Sequence, residues 1–250
     1  MRLCTKGDVM QDIFIGTSGW NYDHWQGVFY PEKWSKSRWL EFYSGVFSTV
    51  EVNATFYRHM KPSTFEKWRN NTPQGFVWAV KANRFITHIK RLQDITDSLQ
   101  MFFDSVHVLA EKLGAVLFQL PPSLAFDEAV FESFCAHLPK GKRYTLEARH
   151  PSWATKSALA SLKRCGVAWC ISDTAGRYPY LEAITADFIY IRLHGSTTLY
   201  ASDYTEEELL RWADKIRTWN KDTFVYFDND FSGYAPRNAR RLKELLDSQP

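Results

Sequence analysis

Two hydrophobic patterns alternate along this chain. Short runs rich in β-branched and aromatic residues, typical of strands, each precede a stretch in which apolar residues recur at helical spacing. The runs predicted as strands cover residues 13–17, 49–53, 76–82, 115–120, 143–149, 167–173, 188–194 and 223–228. Strands that alternate with helices form βαβ units, which build parallel sheets. Eight such units in 250 residues predict an α/β fold of the TIM (β/α)8 type, a closed parallel sheet with outer helices that occupies residues 1–250 as a single domain.

The stretches between the strands carry helix signals at their ends. Apolar stripes predict helices over residues 39–47, 95–113, 130–138, 209–219 and 239–246, and short helices around 63–70 and 179–186, the last of them irregular. Gly114 is expected to end the second of these helices as a left-handed residue. Thr205 and Glu208 form a capping box ahead of the fourth, and Pro236 suits the first position of the last helix.

Parity along each strand separates side chains that face the helices from those that face the barrel interior. In the seventh run, Ile191 and Leu193 suit the helix layer, which turns Arg192 and His194 inward. The same reasoning assigns inward positions to Glu51, Asn53, Lys81, Gln119, Glu147, Arg149, Asp173 and Asp228. Most of these residues stand at the C-terminal ends of their strands, where barrel enzymes build their sites. Because an unpaired buried charge is strongly unfavourable, these groups must pair with one another or with a ligand.

Aromatic residues follow several of the predicted strands. Phe, Trp and Tyr make up 16% of the chain. Trp20 and Tyr22 follow the first strand, Tyr57 the second and Trp153 the fifth. Flat apolar rings beside a charged pocket suit a sugar or a nucleobase, although such rings also cap barrel ends as core. The loop histidines, His88 among them, are more typical of structural positions.

Composition narrows the partners and the compartment. A net charge of +3 gives no argument for a nucleic-acid partner. Basic residues near the ends of the early strands nevertheless leave nucleic acid as a possible partner. The first 12 residues lack the apolar core of a secretory signal, and no run has the length of a membrane span. The 4 cysteines show no metal-binding spacing. We therefore expect a cytoplasmic protein without a membrane partner.

The candidate residues fall within stretches that resemble a known family. These stretches read IGTSGWNYDHWQGVFYP, VEVNATFYR, VKANRFITH, LGAVLFQLPPS, LEARHPSW, IYIRLHGS, LYASDYTEEEL and YFDNDFSGYAPRNA. In this order they resemble the YecE-like family, domain of unknown function 72, from about residue 13 to residue 246. The resemblance implies a TIM barrel and no established reaction, and it leaves residues 1–12 as an N-terminal extension. The chain departs from the usual pattern at Ala148, where a larger residue is common, and at Asp228, where Asn is expected.

One chemical interpretation needs no metal. Lys81, Arg149 and Arg192 would clamp a phosphate or a carboxylate. Glu51 or Glu147 would then act as the general acid or base, while His194 shuttles a proton. In this interpretation Glu51, Glu147, His194 and Asp228 are the candidate catalytic residues. The candidate substrate-binding residues are Trp20, Tyr22, Asn53, Tyr57, Lys81, Gln119, Arg149, Trp153, Asp173 and Arg192.

A second interpretation is a divalent metal site. The ligands would be Glu147, Asp173, His194 and Asp228, an oxygen-rich set with one imidazole that suits Mn²⁺, Mg²⁺ or Zn²⁺. Sugar-isomerase-like and endonuclease-like barrels carry similar ligands on their late strands. The arginines among these positions count against a cation, and the sequence requires no cofactor.

Three classes of function remain open. The first is an enzyme, a hydrolase or an isomerase, that acts on a small anionic or sugar-like molecule. Its variant is a metal-dependent isomerase- or endonuclease-like hydrolase or nuclease, for which a nucleic-acid substrate stays open. The second class is a ligand-binding barrel without chemistry. The third is a structural barrel whose polar mouth is plugged by ion pairs among its own residues.

Overall fold

Eight parallel strands form a nearly closed barrel in the computed structural model, which describes residues 11–248. The strands are β1 (Ile13–Thr17), β2 (Thr49–Val52), β3 (Val77–Lys81), β4 (Leu113–Gln119), β5 (Tyr144–Glu147), β6 (Val167–Asp173), β7 (Phe188–Leu193) and β8 (Asp222–Phe227). Their hydrogen-bonded order is β1-β8-β7-β6-β5-β4-β3-β2. The TIM-barrel prediction is confirmed. The predicted N-terminal extension lies outside the described residues apart from Gln11 and Asp12.

Helices surround the sheet in the crossovers between strands. The α-helices are α1 (Trp39–Val46), α2 (Ala54–Tyr57), α3 (Pro62–Asn70), α4 (Thr96–Val106), α5 (Glu128–Ala136), α6 (Lys156–Arg164), α7 (Glu206–Trp219) and α8 (Tyr234–Asp247). A single π-helical turn, Phe85–Ile89, follows β3. The predicted capping box is present, because the Thr205 side chain accepts from the Glu208 N–H and the Glu208 side chain accepts from the Thr205 N–H. Within residues 11–248, none of the helices is long and apolar enough to cross a membrane.

Three local predictions are wrong. Gly114 does not end a helix but lies inside β4, where a Cβ would come 2.2 Å from Cγ1 of Val77 on the neighbouring strand. The residue with positive φ at that helix end is Ala110. No helix forms between residues 174 and 187, so β6 and β7 are joined by an irregular segment. The last helix begins at Tyr234, which makes Pro236 its third residue rather than its first.

The barrel closes between β1 and β2 through a side chain instead of a backbone ladder. The hydroxyl of Tyr43, on α1, accepts a hydrogen bond from the Thr17 N–H at 2.9 Å and donates to the Thr49 carbonyl at 3.0 Å. At this seam a Cβ on Gly16 would lie 2.2 Å from the Thr49 carbonyl oxygen, so only glycine allows the two strands to approach so closely. Tyr43 is fully buried.

The interior changes from apolar to charged along the barrel axis. At the N-terminal end, Phe14 stacks on Phe224 with ring centroids 5.0 Å apart. The buried rings of Tyr190 and Tyr226 form the next layer. Arg192 follows two residues after Tyr190 on β7 and is 1% exposed. The alternation predicted for β7 therefore places a buried arginine directly above an aromatic plug.

Candidate functional site

A buried ion-pair network joins four strand ends around one arginine. We define the Arg192 network as Arg192, Glu51, Glu147, His194 and Asp228. Nη2 of Arg192 donates to Glu51 at 2.7 Å and to Asp228 at 3.2 Å, while Nη1 donates to Glu147 at 2.5 Å. The guanidinium thus contacts three carboxylates at once, which holds it in a fixed orientation.

The two glutamates of the network are fully enclosed. Glu51 also accepts hydrogen bonds from the Ser18 hydroxyl at 2.8 Å and from the Tyr190 hydroxyl at 2.7 Å. Glu147 also accepts from the Gln119 amide at 2.8 Å and from Nε of Arg149 at 3.1 Å. Their side chains are 0% and 1% exposed. Both glutamates therefore act as buried anchors that a ligand in solution does not reach.

Electrostatics within the network favour ionised carboxylates. Burial alone would raise the pKa of Glu147, but Arg192, His194 and Arg149 outweigh it and hold that pKa well below its usual range. The pKa of Asp228 is also lowered, because Arg192 and His194 outweigh its burial. Asp228 is the most accessible carboxylate of the network, with 22% of its side chain exposed. It is therefore an anionic group at the boundary between the network and solvent.

His194 lies behind Asp228 and is fully buried. Its Nδ1 is 2.9 Å from Oδ2 of Asp228, although this contact lacks the alignment of a hydrogen bond. Its Nε2 lies 3.2 Å from Nη1 of Arg192 and 3.6 Å from Glu147. Burial and the Arg192 charge lower the pKa of His194, but Asp228 and Glu147 outweigh them and raise it above 6.5. A proton on this imidazole is therefore stabilised by the two carboxylates that flank it.

Above the network lies a cavity of about 590 Å³, here called the mouth cavity. Its lining residues are Tyr22, Asn53, Phe56, Tyr57, Lys81, Arg84, His88, Gln119, Arg149, Arg192, Tyr200 and Asp228. Among them, Lys and Arg side chains outnumber carboxylates by four to one. Glu51 and Glu147 offset Arg192 from below. The uncompensated positive charge therefore belongs to the upper part of the cavity.

Lys81 and Arg84 supply that charge, and Arg149, which is paired, lies beside them. Nζ of Lys81 lies 4.2 Å from the ring centroid of Phe56, and within residues 11–248 no carboxylate forms an ion pair with it. Burial, and next the Arg192 charge, lower the pKa of Lys81 to about 8. Arg149 binds Glu147 through Nε and lies over the ring of Tyr178 at 4.6 Å. Arg84 is exposed at the rim and, in the described part of the chain, also lacks an ion pair.

The structure brings most of the predicted site residues together. Those that line the mouth cavity are Tyr22, Asn53, Tyr57, Lys81, Gln119, Arg149, Arg192 and Asp228. Glu51, Glu147 and His194 lie beneath it in the Arg192 network. Tyr57 is a rim residue that is 71% exposed.

Three predicted site residues lie elsewhere. Asp173 was assigned an inward position, and this is wrong, because Ser172 faces inward with Cys170 while Asp173 accepts from the Tyr204 hydroxyl at 2.9 Å and lines a separate cavity. Trp20 packs edge-on against Trp68 of α3 and Trp78 of β3. Trp153 is buried core, with its Nε1–H donated to the Leu124 carbonyl at 2.9 Å.

Four lining residues were not among the sequence-predicted site residues. Phe56, Arg84 and His88 belong to the short segments that follow β2 and β3, and Tyr200 belongs to the loop after β7. Parity applies only within strands, so it gives no direction for residues in these segments. The signal that could have found them is their position, since the loops after barrel strands build the mouth.

The donor set does not fit a metal ion. Among residues 11–248, no group of three His, Cys, Asp or Glu side chains is arranged to hold one. Asp173 faces away from the other proposed ligands. Glu147 and Asp228 both direct an oxygen at Arg192, so the guanidinium stands where a cation would have to bind.

Comparison with known proteins matches the whole of this architecture to one family. Residues 14–250 match the family described as "Protein of unknown function DUF72". The UPF0759 protein YunF of Bacillus subtilis (strain 168) is 29% identical over 270 residues, which cover 94% of this chain and 95% of YunF. The UPF0759 protein YecE of Escherichia coli (strain K12) is 28% identical over 264 residues, which cover 94% of this chain and 92% of YecE.

Solved structures show the same relationship. A DUF72 family protein from Thermotoga maritima superposes with a TM-score of 0.87 at 28% identity, covering 95% of this chain and 100% of that one. A DUF72 family protein from Enterococcus faecalis shares the fold with a TM-score of 0.81 at 18% identity, covering 95% and 96%. The resemblance seen in the sequence motifs is confirmed, and the chain belongs to the DUF72 family.

Proposed function

We propose that this protein is an enzyme that binds a small anionic molecule in the mouth cavity and moves a proton on it. The observation that carries the proposal is the pairing of uncompensated cations, Lys81 and Arg84, with one accessible carboxylate, Asp228, in a single cavity. The buried Lys81 charge without a partner is unfavourable, and an anionic ligand would relieve it, whereas Arg84 is exposed and free to contact that ligand. Perturbed titratable groups that line a cleft are typical of functional sites.

Arg84 and Arg149 would hold the anionic group, next to Lys81 in the same cavity. Arg149 uses Nε for Glu147, so the outer part of its guanidinium stays available for a phosphate or carboxylate. Arg192 does not take part as a clamp, because its donors already serve Glu51, Glu147 and Asp228. We therefore propose that Arg192, which the sequence suggested as part of the clamp, instead fixes the floor of the cavity.

Asp228 would carry the proton. Its lowered pKa keeps it ionised near neutral pH, as a proton acceptor requires. His194, directly behind it, can share the accepted proton. Glu51 and Glu147, which the sequence offered as general acid or base, are enclosed by the network and support Asp228 from below. An anion clamp and a proton acceptor suit isomerisation or hydrolysis. The substrate would bear a phosphate or a carboxylate, or be sugar-like.

The cavity also suits a substrate of limited size. About 590 Å³ falls in the range of small-molecule sites. Tyr22, Tyr57 and Tyr200 line it, and their rings can stack on the flat or apolar part of a ligand. A metal-dependent reaction on nucleic acid has less support, because Arg192 stands among its proposed ligands.

Titration with small anions tests the binding half of the proposal. We expect orthophosphate, malonate and a sugar phosphate to raise the melting temperature of the protein, and Arg84→Gln to weaken that effect about tenfold in concentration, as for the loss of one charge-assisted contact. Arg69→Gln is the control. Arg69 lies at the end of α3, just before β3 begins, and therefore at the opposite end of the barrel from the mouth cavity. Its partner is the exposed Glu111.

Conversion tests the catalytic half. A panel of phosphorylated and carboxylated metabolites is followed by proton NMR in deuterated water, which reports both turnover and proton exchange. We expect a bound member of the panel to be converted by the wild type and not by Asp228→Asn. Anion binding without any exchange or turnover would leave a ligand-binding barrel, and absence of binding would overturn the proposal entirely.

A further inference from the structure

Lys81 occupies an unusual place for a lysine. It is the last residue of β3 and only 7% exposed, yet it lines the mouth cavity. Its ammonium lies against the ring of Phe56 at 4.2 Å. In the described part of the chain it has neither an ion pair nor a hydrogen bond to another side chain. Burial and the Arg192 charge disfavour its protonation and together outweigh Glu147, Glu51 and Asp228, which favour it.

The other buried lysine has the opposite surroundings. Lys112 is 8% exposed, and its Nζ donates to the carbonyls of Arg69 and Thr72 at 2.7 Å each and to the Thr72 hydroxyl at 3.2 Å. This set satisfies all three donors of an ammonium. Burial lowers the pKa of both lysines, but the Lys112 ammonium has three fixed acceptors, whereas no protein side chain in the described residues accepts a hydrogen bond from Lys81.

Neutral amines are nucleophiles. Desolvation in an apolar pocket and a nearby cation are the two devices that activate a lysine for attack on a carbonyl group. Lys81 has both, since it is buried against Phe56 and the charge of Arg192 in the network below opposes its protonation. With a pKa of about 8, roughly a tenth of Lys81 is neutral at pH 7.

We propose that Lys81 forms an imine with the carbonyl carbon of a small anionic aldehyde or ketone bound in the mouth cavity. This deepens the proposed function and rests on it, because Arg84 and Arg149 hold the anionic end of the same molecule. The substrate class narrows accordingly to oxo acids and to phosphorylated aldehydes and ketones.

The reaction balances without an oxidant or a metal. The lone pair of Nζ attacks the carbonyl carbon and forms a C–N bond, while the π electrons of the carbonyl move to oxygen, which takes up a proton. The nitrogen then loses a proton, and the C–O bond breaks as oxygen leaves with a second proton as water. Asp228, on the same cavity, is the carboxyl group placed to pass these protons. The product is an imine, which carries a positive charge when it is protonated and withdraws electrons from the adjacent carbon.

Reductive trapping tests the proposal directly. The protein is incubated separately with glyoxylate, pyruvate and glycolaldehyde phosphate, each followed by sodium borohydride, and is analysed by intact mass and peptide mapping. We expect at least one probe to label one site per chain, at Lys81, and Lys81→Arg to lose that label while keeping its fold by circular dichroism. Lys112 is the internal control for a buried lysine and should remain unlabelled.

The outcomes separate this inference from the proposed function. Label spread over surface lysines, or no label at Lys81 with any probe, overturns the imine. If orthophosphate still stabilises the protein in that case, the anion-binding site stands alone, and if it does not, both proposals fail. Arg84→Gln should lower the rate of labelling by the anionic probes at least several-fold and leave labelling by neutral glycolaldehyde unchanged. Equal loss with both kinds of probe would overturn the assignment of an anionic substrate.

Discussion

Asp228 connects the buried network to the open cavity. It shares Arg192 with Glu51, stands against His194, and exposes 22% of its side chain to the mouth. The sequence motifs led us to expect an amide at this position. Asparagine would have the same shape there without the charge. Asp228 therefore adds one negative charge to the mouth cavity.

Asp228→Asn should lower the pKa of His194. The Asp228 carboxylate is one of the two groups that raise that pKa above 6.5, and an amide cannot stabilise the imidazolium in the same way. The ring proton signals of His194, followed by NMR as the pH is varied, measure the change. Asp214→Asn removes an exposed carboxylate from α7 and is expected to leave the titration of His194 as it is.

The same substitution should alter the pH dependence of stability. A histidine whose pKa is raised on folding adds stability below its unfolded pKa, and this stability is lost as the pH rises through the folded pKa. In the wild type this loss begins near pH 6.5. We expect Asp228→Asn to lower the free energy of unfolding by about 1–3 kcal/mol and to flatten this part of the curve. Urea unfolding at several pH values measures this curve. If the variant and the wild type show the same change of unfolding free energy with pH, the prediction is wrong.

At the scale of single residues, sequence parity worked where polar and apolar side chains alternate with clear contrast. Arg192 and His194 were assigned inward because Ile191 and Leu193 plainly suit the helix layer. Asp173 was misassigned although Trp169 and Ile171 share its parity, and large apolar residues mark the outward face of β6. Asp173 was interpreted as a site residue because it is polar and ends its strand, although the apolar pattern of β6 places it on the outward face.

Among the elements, β4 shows why a glycine was misread. Gly114 was taken as a helix terminator, but its hydrogen leaves room for Val77 and Phe224 against β4. Gly114→Ala should destabilise the protein by about 1–3 kcal/mol, since a stiff β-branched neighbour must move. Gly45 is the matched control, because it lies within α1 and a Cβ there meets nothing within 4 Å.

Gly45→Ala should therefore have the opposite effect and stabilise the protein by about 0.5–1 kcal/mol. Thermal denaturation of the two variants, both of which add a single methyl group, compares them directly. A similar loss in both would mean that neither local environment matters and would contradict the assignment of Gly114 to a tight strand contact.

The seam between β1 and β2 depends on α1. Tyr43→Phe removes the hydroxyl that serves the Thr17 N–H and the Thr49 carbonyl and leaves both groups unpaired in the interior. We expect a loss of about 1–3 kcal/mol in the free energy of unfolding and faster amide hydrogen exchange at Thr17. Tyr144→Phe, which removes one bond to the Pro139 carbonyl, should cost less and leave exchange at Thr17 unchanged.

Element types were largely predictable, and element ends less so. β1 and β6 begin and end at the residues the hydrophobic runs indicated. The absence of a helix between β6 and β7 was not predictable from periodicity. Apolar residues in 174–187, such as Leu181 and Ala183, pack against the core without forming a helix. Trp169, for example, donates its Nε1–H to the Leu181 carbonyl at 2.9 Å.

For the molecule as a whole, the unpaired Lys81 should reduce stability at neutral pH. A lysine whose pKa falls on folding makes the unfolded chain bind more protons between the two pKa values, so stability rises with pH from about 8 to 10.5. Lys81→Met should raise the free energy of unfolding at pH 7 by an amount on the order of 2–3 kcal/mol. The difference from wild type should shrink as the pH approaches 10.5.

Chemical denaturation of both proteins at several pH values measures this trend. Lys163→Met, on the exposed side of α6, is the control and should show no such dependence. A Lys81 variant that is less stable than wild type at pH 7 would mean that the ammonium contributes more through its contact with Phe56 than it costs by burial.

The barrel was predictable at this scale because strands alternate with helices along the chain. Its charged mouth was predictable because inward and outward side chains alternate along each strand. The identity of the reaction was not, because it depends on which charges are left unpaired once the chain has folded. Arg192 looked like a ligand clamp in the sequence and is saturated in the structure, whereas Lys81 is left without a carboxylate.

The closure of the barrel also has a consequence for how the chain is assembled. β1 has its backbone partner in β8, with Ile13 opposite Thr223, and forms no backbone ladder with β2, which it meets through Tyr43 and through the close approach of Gly16 to Thr49. During synthesis the first strand therefore cannot form its native backbone ladder until the last strand has left the ribosome. Until then the free edges of β1 and β7 are open to pairing with other chains. A chain shortened before residue 222 would keep both edges permanently open, and aggregation would be its expected fate.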